Sequence, residues 1–104
     1  MFEIFVPDEH DSMSSITLDG TTYLLRFTYN STADYWSIGL YDENENGIIP
    51  MTRIVPYFDL FGTYTYDGLP EGTLFCDSRE EYIRENAFRD GTAHMIYLEK
   101  GDSL

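Results

Sequence analysis

The amino-acid sequence predicts a mainly β protein, a small antiparallel barrel or sandwich built from a β-meander, with one short helix near 79–87. Nine Tyr and seven Phe in 104 residues are residue types that suit a pleated, half-buried surface. Gly and Asp/Asn clusters punctuate the chain at short intervals, and the runs between them alternate apolar and polar residues with the period of a strand.

Residues 2–6 alternate as a first strand and stop at Pro7, and residues 8–13 read as a polar connection. Residues 15–18 then lead into Asp19-Gly20, and residues 22–29 resume as a strand. An Asp-Gly pair between two such runs signals a two-residue hairpin, because both positions of a type I′ turn need φ > 0. In the second arm Tyr23, Leu25, Phe27 and Tyr29 share one face. Residues 35–41 follow, with Trp36, Ile38 and Leu40 as the apolar set. After a polar tip ending in Asn46-Gly47, residues 48–55 return with Pro50 inside, which assigns that strand to an edge or a bulge.

The second half is less regular. Residues 73–76 suit a short strand and 92–98 a last one, while Ser78-x-x-Glu81 has the form of a helix capping box. That box predicts the helix near 79–87, although so charged a stretch also suits an exposed loop. The whole, residues 1–104, is read as one domain, since a chain of this size buries roughly 65% of its extended surface.

Nineteen acids against six bases give a net charge of −13. Residues 1–52 hold nine acids and one base, residues 53–104 ten acids and five bases, so no acidic tail accounts for the excess. Such a field repels phosphate backbones, which bind through Lys and Arg, so direct nucleic-acid binding is not expected. A single cysteine, Cys76, excludes an intrachain disulfide. No segment approaches the roughly 18–20 apolar residues of a membrane span, and the N-terminal residues lack the pattern of a secretion signal. The expectation is a soluble protein made in the cytoplasm.

Candidate chemistry is thin. Asp42-Glu43-Asn44-Glu45-Asn46-Gly47 matches the opening of a calcium loop, but position twelve is Arg53 where a bidentate Glu belongs, and strands flank it instead of helices. It reads as a hairpin tip. Cys76 with His10 and His94 supplies the types of a thiol nucleophile and its base, with nothing in the spacing to join them. They also fall short of a zinc site. Asn30-Ser31-Thr32 fits the glycosylation pattern and is read as a turn. No catalytic residue, metal site or cofactor is assigned, and the chain is not expected to be an enzyme.

Residues 57–66 stand apart. Tyr57, Phe58, Leu60, Phe61, Tyr64 and Tyr66 make six of ten positions large and apolar or aromatic, without the alternation of a one-sided strand. They either fill the core or form a subunit interface, where aromatic residues are enriched.

In order and spacing the sequence resembles the baseplate plug family, small proteins of contractile-tailed phages and prophages. The resembling residues run from Ser15, Ile16, Leu18, Asp19, Gly20 and Tyr23 through Leu25, Phe27, Tyr29, Asn30 and Trp36 to Leu40, Tyr41 and Asp42. They continue with Arg53, Ile54, Val55 and Leu60, then the Leu69-Pro70-Glu71-Gly72-Thr73-Leu74 turn, Asp77, Gly91 and the terminal Met95-Ile96-Tyr97-Leu98 strand. The sequence departs from the family at Pro56-Tyr57, where a glycine is expected, and in the acidic stretch 78–90. The resemblance implies a structural protein at the central hub of the tail baseplate, near the tip of the tail tube. Its partners would be other hub and tail-tube proteins, with several copies around the tail axis, and its location the virion. It implies no catalytic residues. In that setting the excess acid suits a conduit whose wall does not retain DNA. A competing reading is an acidic DNA mimic that occupies a host nucleic-acid-binding protein. A mimic needs its carboxylates in a continuous duplex-like stripe, whereas these cluster at turns and termini.

Overall fold

The computed structural model describes residues 1–63 and 69–102. Among these, seven strands form two antiparallel sheets: β1 (Phe2–Ile4), β2 (Asp11–Leu18), β3 (Thr21–Asn30), β4 (Tyr35–Asp42), β5 (Gly47–Arg53), β6 (Thr73–Ser78) and β7 (Ala93–Leu98). One sheet is the meander β2-β3-β4-β5 and the other has the order β1-β7-β6. The two sheets make a sandwich-like arrangement, not a closed barrel.

The meander forms as its punctuation dictates. Asp19 and Gly20 both take left-handed backbone, with φ of 53 and 80, and the β2–β3 register runs without a shift from Leu18↔Thr21 to Asp11↔Thr28. Alternation then sorts the side chains. Tyr23, Leu25 and Phe27 of β3 and Trp36, Ile38 and Leu40 of β4 are buried. They share one core with Ile4, Leu74, Cys76, Met95 and Tyr97 of the other sheet. Each such side chain contributes about 1.5–3 kcal/mol of transfer free energy. β5 is an edge strand whose pairing with β4 shifts register twice around exposed Pro50.

Three details differ from the sequence expectations. β1 leaves the meander and pairs with β7, with Phe2 opposite Tyr97 and Ile4 opposite Met95. β2 starts at Asp11, inside the stretch read as a connection, because its serines complete a ladder on β3. The short helix, α1 (Ala87–Asp90), begins only at the last residue of the expected span. The Ser78 hydroxyl accepts from Glu80 N–H at 3.1 Å and donates to Glu80 C=O at 2.8 Å, closing a tight turn where a cap was expected. Further along, the Trp36 indole N–H takes the carbonyls of Arg84 and Glu85 at 3.1 and 3.2 Å. Residues 84 and 85 are thereby held against β4. Ile83 and Ala87 are buried, so this acidic stretch is packed onto the sandwich.

Candidate interaction surfaces

Segment 54–61, between β5 and β6, closes one flank of the sandwich. Its backbone is tied to the edge of β6: Tyr57 N–H donates to Cys76 C=O and Leu60 N–H to Leu74 C=O, each at 2.9 Å. Pro56 and Cys76 form an isolated parallel bridge. This docking splits the aromatic run. Ile54, Leu60 and Phe61 turn into the core, and Phe61 meets the Tyr97 ring edge-on at 6.2 Å. Val55, Tyr57 and Phe58 turn out, at 41%, 61% and 42% exposure. Tyr64 and Tyr66 lie outside the described residues. Of the six candidates, the structure therefore puts Leu60 and Phe61 inside and Tyr57 and Phe58 on the surface.

Tyr57 is held in place by more than its backbone. Its ring stacks on Phe75 at 6.2 Å, which covers an otherwise outward-facing apolar residue of β6. Its hydroxyl donates to the Asp77 carboxylate, and that hydrogen bond raises the phenol's pKa. Tyr57 has a φ of 61, the left-handed region that glycine occupies without cost. Here an aromatic side chain accepts the strain and remains at the surface.

The other exposed large apolar residues among those described are Met1, Phe2, Phe5 and Met13, in and around β1 and β2, with Phe5 at 78% exposure. They were not singled out from sequence, although a signal existed, since strict alternation over residues 2–6 places Phe5 on the same side as Glu3. Beside Phe5 a recess of about 270 Å³ opens between the two sheets, with Ile4, Ile16, Leu25 and Phe27 in its wall.

The candidate chemical groups are occupied structurally. Cys76 is 1% exposed and faces the core, and burial pushes its thiol up to about 12, where it is a poor nucleophile. His94 pairs in register with Asp77, one residue along from Cys76, and so points to the other side of the sheet. There its Nδ1 meets the Glu3 carboxylate at 2.9 Å, which raises the imidazole pKa. His10 lies elsewhere, against Glu85 at 2.7 Å. In the 42–47 tip, Asp42 accepts the backbone N–H groups of Asn44 and Asn46 at 2.9 Å each and the Asn46 side-chain amide at 3.1 Å. These bonds lower its pKa and spend its oxygens on closing the hairpin. Among the described residues no group of three or more His, Cys, Asp or Glu is placed to hold a metal ion.

Other carboxylates staple loops. Asp19, at the β2–β3 turn, accepts from the Tyr97 hydroxyl at 2.5 Å and from Glu71 N–H at 2.9 Å, and Gly72 N–H donates to the same hydroxyl at 3.0 Å. This joins the Asp-Gly turn, the Leu-Pro-Glu-Gly turn and the terminal strand, three features that carry the family likeness. Gly72 is required there by space: a Cβ would lie 2.2 Å from Leu98 O. No curated protein is significantly similar to the chain. The family described as cyanophage baseplate Pam3 plug gp18 does match it, over residues 1–100 of 104, and the protein therefore belongs to this family of phage tail baseplate proteins.

Proposed function

We propose that the chain is a structural component of a contractile-tail baseplate, a plug at the central hub near the tip of the tail tube, acting through protein–protein contacts without catalytic turnover. Family membership across nearly the whole chain carries the reading. The exposed Val55–Phe58 flank supports it, because Val55, Tyr57 and Phe58 present apolar surface to water, Tyr57 from a left-handed backbone. Tyr57 and Phe58, with Tyr64 and Tyr66 of the same run, are the contact residues in this reading. Leu60 and Phe61 anchor the segment from inside. The partners are hub and tail-tube proteins, with several copies around the tail axis, in a particle assembled after synthesis in the host cytoplasm. The competing DNA-mimic reading draws less support, since it calls for carboxylates presented to a partner, and Asp19, Asp42 and Asp90 each accept from turn amides.

Tail particles assembled with wild-type chain or with a Tyr57→Ser/Phe58→Ser double variant test the proposal. The expected result is wild-type chain co-sedimenting with hub and tube proteins, and a variant that folds but stays in the supernatant. Incorporation of the variant at wild-type level would remove this flank as the contact. Absence of wild-type chain from the particles would remove the baseplate role.

A further inference from the structure

The four strands at the sheet edges are protected very unequally. β5 carries Pro50 and two register shifts, β6 is capped by the backbone bonds from Tyr57 and Leu60, and β1 is only three residues long. These are the ordinary ways by which edges are blunted against pairing with other chains. β2 has none of them. It is eight residues long, regular in register, free of Pro and Lys, and its outer edge pairs with no strand among the described residues.

The direction of its free groups follows from the ladder. Tyr29 N–H bonds His10 C=O at 2.7 Å, which makes His10 a hydrogen-bonded partner of β3. Alternation then turns Ser12, Ser14, Ile16 and Leu18 towards β3, and leaves the N–H and C=O of Asp11, Met13, Ser15 and Thr17 pointing out from the edge. A strand added there would lay alternate side chains into the recess beside Phe5, against Ile4 and Ile16, and the others beside Met13 on the outer face. We infer that the outer edge of β2 is a docking site for an extended segment of a partner protein, apolar at alternate positions and basic between them. Backbone pairing gives affinity in this mode and the recess gives specificity.

Charge selects the occupant. Glu3 lines the recess and Asp11 opens β2, and residues 1–25 contain no Lys or Arg. Arg26 and Arg89 are already paired with Asp11 and Asp8, at 2.7 and 3.0 Å. A second copy, itself at −13, would bring like charge to like. The inference goes beyond the baseplate reading and concerns the β2 edge, so either can fail without the other.

The probes are an octapeptide of alternating lysine and valine and its glutamate–valine counterpart, titrated into the full chain by calorimetry, with amide exchange followed by NMR. The amides of Met13, Ser15 and Thr17 should exchange freely in the chain alone and become protected by the lysine peptide only. Ser15→Pro removes one outward N–H that β3 does not use, and should weaken the lysine peptide by about tenfold, the loss of roughly one main-chain hydrogen bond. Thr17→Pro serves the same purpose should Ser15→Pro fail to fold. Edge amides already protected in the free chain, equal binding of both peptides, no binding of either, or undiminished binding to a folded proline variant would each overturn the inference. A concentration-dependent dimer abolished by Ser15→Pro would make a second copy the occupant and overturn it equally.

Discussion

Tyr97→Phe is the most informative single change to the fold. The ring is 0% exposed, and phenylalanine fills the same space, so the variant isolates the hydroxyl. That hydroxyl donates to Asp19 at 2.5 Å and accepts from Gly72 N–H at 3.0 Å. A hydrogen bond to a charged acceptor is worth about 1.5–3 kcal/mol, and a stranded amide costs a further 1–3 where water cannot reach it. Asp19 is exposed and keeps its bond from Glu71 N–H, and Gly72 is only half-buried, so both terms sit towards their lower ends. The expected loss is about 2–3 kcal/mol, a fall in Tm of roughly 10 °C or more. Urea unfolding measures it, and a double-mutant cycle with Asp19→Ala isolates the Asp19 share. Burial and then the Asp19 bond hold this phenol above its ordinary 10.0. The unfolded chain therefore loses the proton first as pH rises past about 10, and wild-type stability falls from there by a share that Tyr97→Phe lacks. A loss under about 0.5 kcal/mol, or cycle terms that simply add, would refute the staple.

Other outcomes follow from the same geometry. Gly72→Ala should destabilise by at least about 2 kcal/mol in urea unfolding, since its Cβ would meet Leu98 O and the Tyr97 ring. Phe61→Ser should cost about 3 kcal/mol or more, while Phe58→Ser, on the exposed side of the same segment, should shift stability by under about 1, as compared by thermal melts. The His94 imidazole should titrate above 6.5 by NMR and fall towards it in Glu3→Gln. The stability from this pair is full below 6.5 and is lost as pH rises through the folded value, so a wild-type curve flat across that window, or one rising there relative to His94→Gln, would count against the contact.

What could be read in advance was what local chemistry decides. The Asp19-Gly20 turn needs nothing beyond its two residues, and the faces of β3 and β4 follow from alternation over runs long enough to fix a period. Pro50 marks an edge because a missing N–H cannot serve a central ladder. The features that escaped depend on distant partners. Nothing near Phe2 says that it pairs with Tyr97, and the serines of β2 show no apolar alternation because β3 supplies the packing. The Ser78 capping signal is local, yet its hydroxyl closes a turn on Glu80, and the Trp36 indole of a distant strand holds residues 84 and 85. The aromatic run had no period because its side chains are sorted by backbone bonds to β6, so Leu60 and Phe61 go in while Tyr57 and Phe58 stay out.

A cryo-EM map of the assembled baseplate tests the central claim most directly. The account predicts density for this chain at the tip of the tail tube, with the rings of Tyr57 and Phe58 covered by neighbouring protein. A particle lacking the chain, or one in which both rings face bulk solvent, would contradict it.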